Sequence, residues 1–304
     1  MQSVVYWAAA PARKDFRMRP AWIESIADPV LAETRAPDLD ALTGELLREW
    51  GSSEVWRLSY GLRSVIAKRG SDAQVHEATA YERFVVPLGL PGPELIHLAR
   101  VDDAVLLVLA DVGRVNLEQE PTADGFLAAA ELVAQLRTKP VDEPSEFGTE
   151  RLLELLDRID PIGADLRQRI TAYAVPALES LHSDAPPAVV HGDFVPKNLV
   201  TDGKRWTAVD WPSAHLAPHL GDLYTLLREA VALGHQREPV LTRYLDASGT
   251  DPELVRRQLS AGGIGFVLRA LSWIVEEGVR TVPESKDWIT PLIEELAGLV
   301  EELR

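Results

Sequence analysis

The stretch that decides the fold is His191-Gly192-Asp193-Phe194-Val195-Pro196-Lys197-Asn198, followed after ten intervening residues by Val209-Asp210-Trp211. Asn198 comes five positions after Asp193, and Asp210 comes twelve positions after Asn198. Phosphoryl transfer from a magnesium–nucleotide complex needs a carboxylate that accepts the proton of the attacking hydroxyl, and it needs oxygen ligands for the metal. Two carboxylates and one carboxamide at this spacing can supply both.

The residues around this stretch predict a hairpin that presents its polar side chains at one end. Short apolar runs at 188–190 and 199–201 predict strands before and after the loop. Asp202-Gly203 is a turn dipeptide, and residues 206–209 predict the returning strand that delivers Asp210. His-Gly-Asp alone would be an ordinary turn, because Gly and Asp both favour turns. Core packing alone does not explain a hairpin with such residues at its end.

These residues resemble the aminoglycoside phosphotransferase and choline kinase superfamily, whose members are relatives of protein kinases that phosphorylate small molecules. The resemblance rests on His191-Gly192-Asp193, Asn198, Val209-Asp210-Trp211 and Gly221-Asp222-Leu223. It implies that Asp193 is the catalytic base, that Asn198 and Asp210 bind Mg²⁺, that His191 supports the loop, and that Asp222 braces it. It also implies an α+β, protein-kinase-like bilobal fold with a small antiparallel N-lobe carrying one helix and a larger, mainly helical C-lobe. We expect an N-terminal extension over 1–40 packed on the body, a nucleotide-binding N-lobe over 41–109 and a catalytic and acceptor-binding C-lobe over 110–304.

Composition excludes several classes of protein. The chain of 304 residues has no Cys, so it can form neither a disulfide nor a thiolate metal site. Its formal net charge of −16 argues against nucleic-acid binding, which relies on Lys and Arg to neutralise phosphates. We found no signal peptide and no uninterrupted apolar run of the roughly 20 residues that a membrane span needs. A cytoplasmic protein with no membrane partner is therefore expected, and its oligomeric state cannot be read from the sequence.

Residues 45–69 predict three strands of the N-lobe, at 45–50, 54–60 and 64–68, although the first could equally be helical by propensity. The turn Gly51-Ser52-Ser53 lies where a nucleotide-covering loop would be, and small residues there let backbone N–H groups approach phosphate oxygens. We therefore assign Ser52 and Ser53 as nucleotide-binding. With a single Gly, this turn departs from a glycine-rich kinase loop and could be an ordinary hairpin turn.

Lys68 ends the third strand, and a helix is predicted from a capping box at Ser71-x-x-Gln74 to a stop before Pro87. Glu77 shares one stripe of this helix with two aromatic residues, whereas Glu82 lies on a different face. In kinases a Lys on the third strand pairs with a Glu on the following helix and holds the phosphates. We assign Lys68 and Glu77 to these roles, with Glu82 as the alternative.

The apolar run 105–109 predicts a strand buried on both faces. In the family that the chain resembles, the segment after this strand is the hinge between the lobes and binds adenine through backbone groups, which implies this role for Ala110 and Val112. Helical patterns then dominate: one helix begins near Thr122, others lie within 150–182, and more follow over 223–233, 254–282 and 288–303. The cluster Gly262, Gly263 and Gly265 does not follow a strand, so it is not a dinucleotide-binding fingerprint.

The resemblance predicts an ATP-dependent kinase, with GTP as a possible alternative donor, acting on a hydroxyl of an aminoglycoside-like compound, an amino alcohol or a sugar. An acidic surface could attract a cationic acceptor. Carboxylates (Asp287, Glu276 and Glu277) and aromatic rings (Trp273 and Trp288) are candidates for the acceptor pocket, or ordinary surface and core residues. The alternative is a non-catalytic nucleotide-binding protein with a kinase-like fold. A protein kinase is disfavoured because no long activation segment separates Asp210 from Gly221.

Overall fold

The computed structural model describes residues 19–139 and 141–304. Their contacts group them into two units, which we call the sheet unit (19–116 and 198–214) and the helical unit (117–197 and 215–304). The chain passes from the helical unit back to the sheet unit between Lys197 and Asn198. The expected α+β class is confirmed, because antiparallel strands dominate one unit and helices the other.

The sheet unit is built on a five-stranded antiparallel sheet in the order β1-β2-β3-β5-β4. Its strands are β1 (Thr43–Trp50), β2 (Ser53–Tyr60), β3 (Arg63–Gly70), β4 (Leu95–Val101) and β5 (Ala104–Ala110). The first predicted segment is thus a strand, and its helical alternative is wrong. The predicted burial of β5 is confirmed, since six of its seven residues are buried. Sequence patterns did not predict β4, whose residues are only half-buried or exposed.

One face of this sheet packs against the chain segment that precedes it. A 3-10 turn (Ala21–Ile26) and helix α1 (Ala27–Thr34) cover this face. The shared core consists of Ile23, Ile26, Val30, Trp56, Leu58, Val65, Ala67, Leu106 and Val108. Because side chains alternate along a strand, the intervening residues of β2 and β3 point to the opposite face. That opposite face carries Lys68. The rest of the expected N-terminal extension, residues 1–18, lies outside the described residues.

The helical segment after β3 begins at Asp72 as predicted, but it lacks the predicted side-chain cap and extends beyond its predicted end. It comprises a 3-10 turn (Asp72–Val75), α2 (His76–Ala80), a π-helical turn (Tyr81–Val85) and α3 (Val86–Leu88). The Ser71 side chain makes no capping hydrogen bond; instead, the Gln74 N–H donates to the Ser71 carbonyl. The helix also continues past Pro87 to Leu88, and Gly89 ends it in a left-handed conformation. In the π-helical turn the Val86 N–H bonds Tyr81 O, five residues back, and this widening relieves the proline ring's clash with the preceding turn.

A second, three-stranded sheet completes the sheet unit. It contains β6 (Val115–Asn116), β8 (Leu199–Thr201) and β9 (Trp206–Ala208), in the order β6-β8-β9. The predicted hairpin with its Asp202-Gly203 turn is therefore confirmed. Asp202 Oδ1 accepts the backbone N–H groups of Lys204 and Arg205 at 2.8 and 2.9 Å, and Gly203 adopts a φ of 87°.

The helical unit consists mainly of helices, many of which pack around one apolar core. The helices are α4 (Ala123–Arg137), α5 (Thr149–Asp157), α6 (Ala164–Arg169), α7 (Val175–Asp184), α8 (Gly221–Ala232), α9 (Arg237–Ser248), α10 (Pro252–Trp273), α11 (Val279–Thr281) and α12 (Ile289–Glu301). Two short strands, β7 (Ala188–Val190) and β10 (His215–Ala217), pair antiparallel. The predicted helix start near Thr122 is confirmed, since Thr122 Oγ1 accepts the Gly125 N–H. Helix α9 was not predicted, because only Val240 and Tyr244 of its residues are buried.

Helix α10 is the central helix of this unit. Together with a π-helical turn (Ile274–Gly278) and α11 it forms a 30-residue segment that is long and apolar enough to cross a membrane, but 72% of its most apolar window is buried inside the protein. Its glycine cluster allows close packing. A Cβ atom on Gly262 would lie 2.5 Å from the Gly221 nitrogen of α8, and one on Gly263 would lie 2.6 Å from the Tyr224 ring. The cluster is thus a packing feature of one helix.

Candidate functional site

In the sheet unit, three side chains from distant parts of the chain form one charged cluster. Lys68 Nζ lies 2.5 Å from Asp210 Oδ1 and also forms an ion pair with Glu77 Oε2. The Lys68 side chain is 6% exposed, that of Glu77 1% and that of Asp210 14%. The structure therefore brings together the predicted phosphate-binding Lys, its predicted Glu partner and one predicted metal ligand.

The backbone around Asp210 fixes the direction of its carboxylate. Asp210 follows β9 and has a φ of 71°, a left-handed conformation that Asp tolerates better than most residues. The next N–H group, that of Trp211, donates to Glu77 Oε1 at 3.2 Å. Across the hairpin, the Val209 N–H donates to the carbonyl oxygen of Asn198 at 2.9 Å. Asn198 is 3% exposed, and it lies beside the residue that precedes Asp210.

Burial and charge act in opposite directions on this cluster. Burial lowers the pKa of Lys68, but the charges of Asp210 and Glu77 outweigh it and raise that pKa above its ordinary value. Burial raises the pKa of Glu77, and the nearby Lys68 ammonium opposes the increase. Tyr81 is fully buried, and burial followed by the negative charges of Glu77 and Asp210 raises the pKa of its hydroxyl well above the usual range. Lys68 is therefore a fixed cation at neutral pH.

The alternative partner, Glu82, lies elsewhere on the surface. Its carboxylate makes two hydrogen bonds to the guanidinium of Arg100, at 3.0 and 2.6 Å, and about half of its side chain is exposed. Both residues of this pair are accessible to water, so the pair contributes little to stability. Glu77, and not Glu82, is the carboxylate that contacts Lys68.

The turn between β1 and β2 is a tight hairpin. Trp50 pairs with Ser53, so only Gly51 and Ser52 form the turn, and Gly51 has a φ of 51°. The Ser52 carbonyl accepts the Ser71 N–H at 2.9 Å. Ser53 is the first residue of β2 and is 5% exposed. The two predicted nucleotide-binding serines thus lie at this turn, which is shorter than a glycine-rich loop.

At the end of β5 a buried ion pair anchors the predicted hinge. Arg57 Nε donates to Asp111 Oδ2 at 2.7 Å, and Arg57 Nη2 donates to the Gly113 carbonyl at the same distance. Ala110 donates its N–H to the Glu94 carbonyl, so only its carbonyl oxygen could serve an adenine. Val112 lies between the anchored residues 111 and 113 and is half-buried. The sequence analysis did not identify Arg57 or Asp111, which lie 54 positions apart; the signal that it passed over was a charged residue, Asp111, directly after the apolar run of β5.

In the helical unit, the loop after β7 is held by one buried carboxylate. Asp222 Oδ2 accepts the His191 N–H at 2.6 Å, and Asp222 Oδ1 accepts the Gly192 N–H at 3.0 Å. Burial raises the pKa of Asp222, and the two N–H groups and His191 oppose the increase. His191 is fully buried, and its Nδ1 accepts the Asp193 N–H at 3.3 Å. These bonds leave the Asp193 side chain 40% exposed, with Lys197 Nζ 3.7 Å from its Oδ2.

A buried arginine ties the two strands beside this loop together. Arg137, at the end of α4, donates to the carbonyl oxygens of Ala217 and Pro218 at 2.9 and 3.0 Å. Burial lowers the pKa of its guanidinium. Three N–H···O contacts to carbonyl oxygens, including a long one to Ala188, take the place of an anionic partner. Arg137 therefore has a structural task in this chain.

Four of the five candidate acceptor residues have ordinary structural partners. Glu276 lies 3.6 Å from Arg158, and Glu277 lies 3.6 Å from Arg280. Asp287 is exposed. Trp273 and Trp288 pack against the core of the helical unit. The structure thus shows surface ion pairs for two of these carboxylates, an exposed third carboxylate and core packing for the two tryptophans.

The donor atoms fit Mg²⁺, the metal that the resemblance implies. A carboxylate (Asp210) and a carboxamide (Asn198) are hard oxygen ligands, and Mg²⁺ commonly uses one or two such side chains together with water and phosphate oxygens. Within residues 19–139 and 141–304, no group of three or more His, Asp or Glu side chains could hold a metal ion. A metal at this site would therefore depend on nucleotide phosphates for further ligands.

Comparison with known proteins identifies the family. The sequence profile of the phosphotransferase enzyme family matches residues 43–257, and no curated protein matches the sequence significantly. Among solved structures, a choline/ethanolamine kinase family protein from Mesorhizobium loti is similar with a TM-score of 0.64 and 15% identity, covering 92% of this chain and 94% of that one. Choline kinase LicA from Streptococcus pneumoniae gives a TM-score of 0.60 and 16% identity over 92% of this chain and 100% of that one.

A third similar structure is a thermostable mutant of aminoglycoside phosphotransferase APH(4)-Ia in ternary complex with ADP and hygromycin B. Its TM-score is 0.61 at 15% identity, covering 91% of this chain and 98% of that one. Identities this low establish a shared fold, whereas the profile match covers more than half of the chain and establishes ancestry. The chain belongs to the phosphotransferase enzyme family.

Proposed function

We propose that this protein transfers the γ-phosphate of ATP to a hydroxyl group of a small molecule. The observation that carries the proposal is the cluster of Lys68 with Glu77 and Asp210, because three charged side chains separated by up to 142 positions meet at one buried point. Burying charged groups costs free energy even when they are paired, so stability alone does not explain such a cluster. Phosphate binding by a fixed ammonium group provides such a function.

Asp193 is the proposed general base. Its carboxylate would accept the proton of the acceptor hydroxyl while the hydroxyl oxygen bonds to the γ-phosphorus and the bond to the β–γ bridging oxygen breaks, which releases ADP. The 40% exposure of its side chain leaves the carboxylate accessible to a substrate. Asp222 accepts the N–H groups of His191 and Gly192 in this loop and would thereby keep the Asp193 carboxylate oriented.

Asn198 and Asp210 are the proposed Mg²⁺ ligands, and a bound Mg²⁺ would neutralise charge on the β- and γ-phosphates. Lys68 would bind the α- and β-phosphates, Ser52 and Ser53 would lie beside the phosphates, and Ala110 and Val112 would contact the adenine ring. His191 would support the loop without contacting the substrate. The proposed acceptor is a small hydroxylated compound. Relatives in solved structures bind hygromycin B or spectinomycin, and others are choline kinases, so antibiotics and amino alcohols are the first classes to try.

The test is release of ADP or GDP from Mg-ATP or Mg-GTP in the presence of aminoglycosides, spectinomycin, choline, ethanolamine and sugars. Wild type, Asp193→Asn and Asp246→Asn are compared, because Asp246 is an exposed carboxylate of α9. We expect an acceptor-dependent signal that Asp193→Asn abolishes and Asp246→Asn leaves unchanged. Turnover by Asp193→Asn at the wild-type rate would contradict the proposal. Magnesium-dependent nucleotide binding with no product from any acceptor would instead favour the non-catalytic alternative.

A further inference from the structure

We infer that Arg48 is a second cationic ligand for the nucleotide phosphates, and that its ion pair with Asp210 is the contact that a phosphate group replaces. Arg48 Nη1 lies 2.8 Å from Asp210 Oδ2, on the carboxylate whose other oxygen contacts Lys68. Two cations thus share one carboxylate. The inference rests on the proposed function, since it requires a nucleotide at this cluster.

A β-bulge puts Arg48 on the functional face of the sheet. Along β1, Leu46 pairs with Trp56 and Arg48 pairs with Val55, so Leu47 has no partner of its own in β2. In a regular ladder, Arg48 would pair with Glu54, which points to the other face, where both Trp22 and Trp56 donate to its carboxylate. The extra residue reverses the direction of the side chain, as bulges beside functional sites commonly do.

The bulge aligns Arg48 with Lys68. Val55 pairs with Arg48 on one side and with Lys68 on the other, so these three residues form one row across β1, β2 and β3. Residues that pair directly across antiparallel strands point to the same face. Arg48 and Lys68 therefore reach Asp210 from the same face of the same sheet.

The two cations differ in freedom and in geometry. The Lys68 side chain is 6% exposed and contacts two carboxylates, whereas the Arg48 side chain is 41% exposed and contacts Asp210 through one nitrogen. Lys68 is thus fixed, while Arg48 can change rotamer at low cost. A guanidinium carries five N–H donors in a planar fork that matches two phosphate oxygens at once. The Arg48 guanidinium neutralises part of the negative charge of Asp210, as a bound metal ion would.

Two further observations on this face point to a ligand. The β1–β2 turn consists of only Gly51 and Ser52, so it offers fewer backbone N–H groups to a phosphate chain than a long glycine-rich loop. Ser53 stands two residues before Val55 in β2 and therefore points to the same face as Arg48. Its hydroxyl is buried and has no hydrogen-bond partner among the described residues. A buried hydroxyl without a partner calls for an explanation, and a phosphate oxygen would provide one.

The experiment measures equilibrium binding of Mg-ATP, Mg-ADP and adenosine to wild type, Arg48→Ala, Arg48→Lys and Arg100→Ala by titration calorimetry. Arg100 is the matched control, because it is an exposed arginine of the same sheet that pairs with Glu82. For Arg48→Ala we expect the affinity for Mg-ATP to fall by about tenfold or more, the loss expected for one charge-assisted hydrogen bond, with adenosine affinity unchanged. Arg48→Lys should recover part of the loss, and Arg100→Ala should match wild type.

The outcomes separate this inference from the proposed function. Unchanged or tighter Mg-ATP binding by Arg48→Ala would overturn the inference. It would mean that Arg48 only competes with Mg²⁺ for the Asp210 carboxylate. An equal loss for adenosine and Mg-ATP would also overturn it, because a structural defect weakens both. If wild type itself does not bind Mg-ATP, the proposed function fails, and the inference fails with it.

Discussion

The ammonium nitrogen of Lys68 lies 2.5 Å from Oδ1 of Asp210, a residue 142 positions further along the chain. Glu77 completes this arrangement from the helix after β3, and its second oxygen accepts the N–H of Trp211, the residue that follows Asp210. The Glu77 carboxylate thus holds both the cation and the backbone that carries the Asp210 carboxylate. Loss of Glu77 should therefore disturb two partners at once.

Glu77→Gln should weaken nucleotide binding and turnover, whereas Glu82→Gln should not. An amide presents an oxygen to only one of the two donors, Lys68 and Trp211 N–H, and its NH₂ group faces the other. Each lost charge-assisted hydrogen bond costs about 1.5–3 kcal/mol, which corresponds to roughly a 10- to 100-fold decrease in Mg-ATP affinity or kcat/KM. Steady-state kinetics and nucleotide titration of both variants measure this. A larger defect in Glu82→Gln than in Glu77→Gln would show that the wrong carboxylate has been assigned.

Asp222→Ala should destabilise the protein much more than Asp202→Ala. Each of the two carboxylates accepts two backbone N–H groups, but Asp222 is 4% exposed and Asp202 is exposed. Water can replace the Asp202 contacts, whereas the N–H groups of His191 and Gly192 would lose a buried acceptor, at about 1–3 kcal/mol for each unsatisfied group. Urea unfolding of the two variants compares these costs. If both variants lost the same free energy of unfolding, burial would not determine how much the Asp222 hydrogen bonds stabilise the protein.

Sequence patterns predicted the elements that have a pronounced apolar pattern or a distinctive turn. Strand β5 is a continuous apolar run, and the β8–β9 hairpin has an Asp-Gly turn, so both were predicted. Strand β4 and helix α9 were missed because each buries few side chains. Such elements are stabilised by contacts with distant parts of the chain, and these contacts leave no periodic pattern in the local sequence.

The residues of the candidate site likewise fall into those that the sequence predicted and those that it did not. Lys68 and Glu77 could be named from the sequence because kinases pair a Lys on the third strand with a Glu on the following helix. Lys68 ends the third predicted strand, and Glu77 shares a helical stripe with two aromatic residues. Arg48 could not be named, since an alternating strand puts it on the opposite face and only the bulge at Leu47 reverses it. A one-residue register shift depends on pairing with a second strand, so it leaves no sign in the strand that contains it. Arg57 and Asp111 were missed because their partnership joins residues 54 positions apart.

Asp111→Asn should remove stability that the wild type has at neutral pH and loses in acid. Burial raises the pKa of Asp111, but hydrogen bonds from Arg57 and Ser64 and the Arg57 charge outweigh it and lower that pKa below its ordinary value. A carboxyl with a lowered folded-state pKa stabilises the fold above its unfolded value of about 3.9, and this contribution disappears as pH falls through the folded value. Urea unfolding at intervals from pH 3 to 7 should show a wild-type advantage that is constant above about pH 5 and shrinks below pH 4. An advantage that grows as the pH falls would contradict the lowered pKa.

Gly262→Ala and Gly298→Ala should change stability in opposite directions, although both substitutions add one methyl group to a helix. A Cβ on Gly262 of α10 would lie 2.5 Å from Gly221 N and 2.7 Å from Leu220 C, and these backbone atoms cannot move aside as a side chain can. The helices must separate, so a loss of about 1–3 kcal/mol is expected for this overpacking. A Cβ on Gly298 of α12 would meet no atom within 4 Å, and replacing an exposed helical Gly by Ala gains about 0.5–1 kcal/mol through reduced backbone entropy in the unfolded chain. Urea unfolding midpoints of the two variants should therefore fall on either side of the wild-type value. If Gly262→Ala were neutral, the close approach of α10 to α8 would not require a glycine, and the glycine cluster would need an explanation other than packing.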